Sequence, residues 1–397
     1  MTGAKKRIVG VDTARGLAVL GMFVAHLGLE QHVGMLTPTG WFFVADGRPS
    51  ALFAMLAGTG LAFMTRRAFT SGDPAEWRRQ RVRILKRSGI LYALGWMLTF
   101  LMTPVAVILP AYAVMFVLVL PFLRLRIPAL IAVAAAVLAV APIPVLAVRH
   151  VTGETSGWRV MPGVGELLTG YYPAIAWIAY LLVGLAGGRL DLRRIGVQAG
   201  MIVVGAALAL LGYSAGTLLT QVLDPAESSL TELLVSTQPH AHSGPEMLGN
   251  VGVAIGVLGL LLLLTQPTVL RVILTPISAT GAMSLTVYSL HIVYIRILGD
   301  EAVWYPQSNW PLIWLIVATF TFATLWQLTL GKGPFERAMS AMIRTRAERG
   351  GTPGGPPVPP PPNPQQFYPA PQARPAPAAA PPAATVTPPY PPAPPPS

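Results

Sequence analysis

Cysteine is absent from this sequence. Its absence excludes disulfides, zinc–thiolate sites and iron–sulfur clusters, and removes the usual clue to redox compartment. Charge is scarce: Asp, Glu, Lys and Arg make up 11% of 397 residues, against roughly a quarter in a soluble domain. That argues against a soluble globular enzyme. Acidic residues are the rarer kind, 16 against 28 basic ones, for a net charge of +12. Such a surplus fits nucleic acid as a partner only if it gathers on one binding surface, and the loops below give it a different use. There is no P-loop, dinucleotide fingerprint, G-x-S-x-G or H-E-x-x-H, so the chemistries those motifs carry are not indicated. No clear internal repeat stands out, which disfavours transporter folds built from one.

What is abundant is apolar residues and proline. Hydrophobic residues make up 53% of the chain, and the mean hydropathy is +0.57. Composition changes sharply near residue 350. From Gly351 to Ser397, 21 of 47 residues are Pro, with a single charge at Arg374. That stretch cannot bury enough surface to offset its ordering entropy, so 351–397 is expected to be a disordered cytoplasmic tail of polyproline II character. It is either a solvated appendage or a docking ligand for a cytoplasmic Pro-binding partner.

Residues 1–350 form the other expected domain, all-α and membrane-embedded. Ten apolar runs lie near the ~20 residues needed to cross a bilayer: 8–30, 41–65, 88–103, 105–123, 127–147, 168–187, 196–218, 247–265, 277–298 and 311–330. Lys5-Lys6-Arg7 looks like the start of a signal peptide. The run behind it holds Asp12 and Arg15 and no convincing cleavage site, so no cleavage is expected. With the N-terminus inside, the inner segments 1–7, 66–87, 124–126, 188–195, 266–276 and 331 onward hold most of the Lys and Arg, while 219–246 and 299–310 hold none. The positive-inside rule then predicts ten spans, both termini cytoplasmic, in the plasma membrane. Membrane lipids are the expected surroundings, a homo-oligomer is compatible with the sequence, and nucleic acid is not needed to explain the charge.

Ionisable groups inside a bilayer are costly, so those that occur there are informative. The first run carries three: Asp12, Arg15 and His26. At 100° per residue they share one narrow helical sector. At 1.5 Å per residue, Arg15 and His26 stand about 16 Å apart along the axis. Such a stripe faces the bundle interior or a water-filled cavity. The plainer reading is an Asp12–Arg15 pair with a hydrogen-bonded core histidine.

The spacing R-x10-H, preceded by Asp12-Thr-Ala-Arg15-Gly, resembles the signature of the membrane acyltransferase-3 proteins. The fuller stretch Arg7-Ile-Val-Gly-Val-Asp12-Thr-Ala-Arg15-Gly-Leu-Ala-Val-Leu-Gly-Met is similar to the opening of the heparan-α-glucosaminide N-acetyltransferase-type family. Three later stretches add to the resemblance: Ala45-Asp46-Gly-Arg48-Pro49 running to Gly58, Leu168 to Gly184, and Gly281-Ala-Met-Ser284-Leu-Thr-Val-Tyr288-Ser-Leu-His291. It covers most of residues 7–330. One departure is clear. Lysosomal-type members carry an essential His shortly before the Asp-Pro stretch, where this chain has Thr37-Pro-Thr-Gly-Trp41; the nearest His is His32.

The resemblance implies an acyl-CoA-dependent O- or N-acyltransferase. It would carry an acyl group, acetyl first among them, from cytoplasmic acyl-CoA to an outer-face glycan or glycolipid. Acetyl-CoA or another acyl-CoA is then a co-substrate, and no resident cofactor or metal is expected. A neutral imidazole removes the acceptor's proton near pH 7, which points to His26 as base, with His32 as the alternative. The CoA diphosphate calls for planar cations at the cytoplasmic mouth: Arg15, and Arg78, Arg81, Arg83 and Arg87 from the basic run 78–87. Positive-inside anchoring accounts for much of that run by itself. Asp12, Asp46, Arg48, Ser284, Tyr288 and His291 are candidates for holding the acceptor or orienting the catalytic groups. Asp46 and Arg48 equally suit a helix start opened by Pro49, and 284, 288 and 291 equally suit a packed polar seam. His240-Ala-His242 supplies two metal-type ligands and no third. Two readings without acyl transfer stay open: a transporter or flippase using the same groups as a proton relay, and a scaffold recruiting partners through its tail.

Overall fold

The first helix, α1 (Val9–Leu27), contains the whole polar stripe, and its neighbours are built around that stripe. The computed structural model describes residues 7–29, 37–153 and 161–343. Lys5, Lys6, His32 and the tail 351–397 therefore lie outside the described residues. Within them the fold is all-α, with no strand. A 3-10 segment, Pro38–Ala45, leads into α2 (Arg48–Ser71). Then come α3 (Pro74–Thr99), α4 (Leu109–Leu118), α5 (Ile127–Val140) and α6 (Pro142–Thr152). A π turn at Gly165–Thr169 precedes α7 (Ala174–Gly187) and α8 (Ile195–Leu223). The chain continues through α9 (Leu230–Val235), α10 (Gly244–Leu264), α11 (Thr268–Ile273) and α12 (Thr275–Ala282). It ends in α13 (Ser284–Leu298), α14 (Glu301–Trp304), α15 (Trp310–Thr329) and α16 (Pro334–Ile343).

Local chemistry sets the helix starts. Proline opens α2, α3, α4, α5, α6, α10, α12 and α15, where its missing amide costs nothing. Asp73, Ser229 and Ser243 accept from the first-turn amides of α3, α9 and α10. The two serines do so within Ser-x-x-Glu capping sequences.

Among the described residues, four helical stretches are long and apolar enough to cross a membrane: Ile127–Thr152, α8, α10 and α15. The pair α12–α13 makes a fifth if its 88° bend falls within one span. The other expected runs are also helical but differ in kind. Here α4 has only 10 residues and α7 only 14. Charge lies within α1, α2 and α3. The run 88–103 is the second half of a 26-residue helix whose first half is the basic run 78–87, and 41–65 begins as 3-10 rather than α-helix. One face of α8 leaves Val203, Leu210, Leu211, Leu218 and Val222 exposed, an apolar stripe suited to lipid rather than water.

Backbones meet where glycines face each other. A Cβ on Gly16 would lie 1.9 Å from the Ile277 carbonyl oxygen, and one on Gly281 would lie 1.8 Å from that of Asp12, so α1 and α12 cross in direct contact. Gly58 and Gly184 join α2 to α7 in the same way, and Gly205, Gly212 and Gly252 join α8 to α10. Small residues at such crossings are the membrane solution to close helix packing. The crossing of α1 and α12 decides where the site lies, because it holds the polar stripe of α1 beside the start of α13.

Candidate functional site

The site has a basic cavity on one side and a histidine pair on the other. Tyr288 stands between them. The cavity measures about 340 Å³, within the ~300–1,000 Å³ of small-molecule sites. Arg7, Arg15, Arg87 and Lys332 bring positive charge to its wall, with Glu336 as the counter-charge. Its apolar lining comes from α2, α3 and α4, including Phe53, Leu56, Leu91 and Phe116. Along α13 the lining runs Ser284, Leu285, Tyr288 and stops one turn before His291.

The cations are held in place. Asp12 accepts from Arg7 Nε at 2.5 Å and from Arg15 Nη1 at 3.2 Å, so its role is to orient the two arginines. The side chain of Arg87 lies over the Phe116 ring, and its Nε has no hydrogen-bond partner among the described residues. The bend at Met283 frees the first amides of α13. Glu336 of α16 accepts from Leu285 N at 2.8 Å, Thr286 N at 3.2 Å and the Thr286 hydroxyl at 2.6 Å. A carboxylate at a helix N-terminus is favourable, and here it also fastens α16 against the cavity.

Behind Tyr288, His26 Nδ1 and His291 Nε2 are 3.0 Å apart with the rings nearly parallel. His291 Nδ1 lies 2.7 Å from the Tyr288 carbonyl oxygen. That oxygen only accepts, so His291 Nδ1 carries the hydrogen. With both imidazoles neutral, His291 Nε2 is then an acceptor and His26 Nδ1 must donate to it. His26 Nε2 is left as the bare lone pair. The imidazole of one histidine thus fixes the tautomer of the other, as carboxylates and carbonyls do for catalytic and metal-bound histidines. Phe23 and Tyr288 pack their rings 5.0 and 5.2 Å from His291.

On the far side of the pair lies a second polar group. Arg48 Nε donates to the Tyr213 hydroxyl at 3.1 Å, Tyr213 to Asn250 Oδ1 at 2.8 Å, and Asn250 Nδ2 to Glu246 Oε1 at 2.6 Å. Nearby, His240 stacks on Trp177 and packs against Tyr171, and Arg149 donates to its carbonyl oxygen. Burial, then the neighbouring His26 and Arg149, lowers the His240 pKa to about 4. His240 and His242 have ring centroids 6.3 Å apart, and no group of three metal-type ligands forms among the described residues.

The structure therefore brings Arg15, Arg87, Ser284 and Tyr288 to one cavity, and His26 and His291 to one hydrogen bond. Arg78 and Arg81 are exposed, Arg83 is half-buried, and none of the three lines the cavity. Asp46 stands half-buried at the end of the 3-10 segment. Glu336, Lys332, Tyr112 and Glu246 belong to these groups and were not singled out from sequence. Lys332 and Glu336 flank a Gly-Pro step in Gly331-Lys-Gly-Pro-Phe-Glu336, whose sequence signal is that of a helix start and an inner loop.

A comparison with curated proteins finds no match. The family model for the heparan-alpha-glucosaminide N-acetyltransferase catalytic domain matches residues 7–218. That span holds Arg15, His26, Asp46, Arg48 and Arg87, and ends before Tyr288 and His291. Together with the apolar helices, the match makes this a multi-pass membrane protein. More than half of the chain is matched, and the chain belongs to the heparan-alpha-glucosaminide N-acetyltransferase catalytic-domain family.

Proposed function

We propose that this protein moves an acetyl group from cytoplasmic acetyl-CoA to an outer-face glycan or glycolipid. In this reading it sits in the plasma membrane with ten spans and both termini cytoplasmic. The short or charged helices α1, α2, α3, α4 and α7 then cross as members of a bundle, shielded by the apolar helices. The observation that carries the proposal is the position of Tyr288. The residue lines the basic cavity, and its carbonyl oxygen holds His291 of the histidine pair. A donor in the cavity then lies across the Tyr288 ring from the His26–His291 pair.

The chemistry follows from the groups present. Arg15 and Arg87 attract the CoA phosphates, for which planar guanidinium groups are suited. The pantetheine arm lies along the apolar wall toward Tyr288. An acceptor hydroxyl or amine loses its proton to His26 Nε2 as it attacks the thioester carbon. The imidazolium that forms keeps its Nδ1–H on His291, and returns a proton to the CoA thiolate as the C–S bond breaks. Arg48, Asp46 and the Glu246 network are available to an acceptor on the far side.

A rival reading takes the same histidine pair as the proton relay of a transporter, since intramembrane histidines serve both uses. One assay separates them. The full chain in nanodiscs is incubated with acetyl-CoA and either glucosamine or methyl glucoside, and free CoA is measured with a thiol reagent. Acyl transfer predicts CoA release that depends on His26. Absence of both acetyl-CoA binding and CoA release sinks the reading in favour of transport.

A further inference from the structure

The Tyr288 hydroxyl is half satisfied. It accepts a hydrogen bond from the Ile108 amide at 3.1 Å. Its own proton reaches no acceptor among the described residues. Nearby Tyr112 differs: its hydroxyl donates to the Ser50 carbonyl oxygen. Both residues line the cavity, but only the Tyr288 hydroxyl has a hydrogen with no acceptor among the described residues. Three features make that proton unusual. The side chain is 1% exposed, so water does not compete for it freely. Accepting from an amide polarises the O–H and makes it a better donor. The rest of the residue is rigid, because its ring packs on His291 and its carbonyl oxygen binds His291 Nδ1.

We propose that the Tyr288 hydroxyl is the electrophilic group of the transfer, donating a hydrogen bond to the carbonyl oxygen of the acyl thioester. The proposal rests on the acyl-transfer reading above. As the acceptor's lone pair forms its bond to the carbonyl carbon, the π pair moves onto the carbonyl oxygen. The Tyr288 O–H stabilises the resulting oxyanion. When the π bond re-forms, the C–S pair leaves on sulfur, and the proton first taken by His26 goes to that thiolate. The products are acyl acceptor and CoA–SH, with no other reactant needed. Aiming a fixed donor at the oxygen where charge develops, in a site shielded from water, is the arrangement that stabilises such intermediates most. It also divides the work within one helix turn of α13: Tyr288 serves the electrophile, and His291 serves the base.

The test compares Tyr288→Phe with wild type and with Tyr294→Phe, a tyrosine of the same helix whose hydroxyl donates to the Pro311 carbonyl oxygen away from the cavity, all as full chains in nanodiscs. S-ethyl-CoA, a thioether without a carbonyl oxygen, is the binding probe. It should bind all three proteins alike, which also shows that each is folded. Acetyl-CoA turnover with glucosamine or methyl glucoside should fall ~10²–10³-fold in Tyr288→Phe and little in Tyr294→Phe. Infrared difference spectra of bound [1-13C]acetyl-CoA need no acceptor. The carbonyl band should lie at lower frequency in wild type than in Tyr288→Phe, and lower still with 3-fluorotyrosine at 288, a more acidic donor. Wild-type turnover in Tyr288→Phe, loss of S-ethyl-CoA binding in that variant, or one carbonyl frequency in all proteins overturns the proposal. A wild type that releases no CoA overturns the acyl-transfer reading instead.

Discussion

At the scale of single residues, the site depends on which atom of a side chain is left over. His26 keeps a bare Nε2 because Nδ1 is bound to His291. His26→Ala is expected to lower turnover about 10²–10⁴-fold, the usual cost of losing a general base. Acyl-CoA affinity should hold, since Arg15 is about 16 Å away along the helix. Arg15→Lys should do the reverse, weakening acyl-CoA binding through loss of the planar guanidinium. Titration calorimetry and a CoA-release assay on both variants check the split. His240 gives a pH prediction. Its folded pKa is about 4, against ~6.5 for an unperturbed imidazole. The unfolded chain therefore takes up the proton first. The stability tied to neutral His240 is complete above pH 6.5 and is lost as pH falls from there toward 4. Thermal melts at pH 7 and pH 5 should show a larger drop for wild type than for His240→Asn.

At the scale of helices, close backbone contact sets the geometry. Gly281→Ala places a methyl group 1.8 Å from the Asp12 carbonyl oxygen, and neither backbone can yield without moving the polar stripe. Overpacking costs about 1–3 kcal/mol where side chains can adjust, so a cost at the upper end is expected, read as a lower thermal midpoint. Gly60→Ala, with open space around it, is the silent control. Glu336→Gln tests the fastening of α16. Removing that charge from a cavity lined by four cations should tighten binding of CoA while lowering thermal stability, since the α13 amides lose their ionic partner. Much of this scale was legible in the sequence. The R-x10-H spacing and the i, i+4, i+7 set at 284, 288 and 291 pointed to α1 and α13, the two helices that meet at His26 and His291. What sequence could not supply was their meeting. His26 and His291 are 265 positions apart, and the contact that joins them runs through two glycines and a bend at Met283, none of which carries a polar signal. The basic run 78–87 divides for a related reason. Its arginines are spread around a helix, and only Arg87 sits on the side that faces the cavity.

At the scale of the whole molecule, charge and hydropathy serve topology more than chemistry. Loops poor in Lys and Arg alternate with loops rich in them along the chain, which a reporter can test directly. A fusion after Ser397 should read cytoplasmic, and one inserted at Ala226 should read external. The same side for both, or the reverse, rejects the ten-span arrangement and the cytoplasmic mouth with it. Composition announced the membrane and the all-α fold. It could not say which helices cross unaided, because a bundle interior tolerates the charges and short lengths that a lone span does not.

The hydrogen bond between His26 and His291 has a consequence for how such a chain can drift. The two positions are remote in the gene, yet His291, itself fixed by the Tyr288 carbonyl oxygen, fixes the tautomer of His26. A change at 291 to a residue that cannot accept from Nδ1 would release His26 into its other tautomer, and the same change would be harmless once His26 itself had gone. Substitutions at the two positions should therefore be contingent on each other: once either histidine has gone, the other is free to change at little further cost. The double replacement should cost little more than either single one.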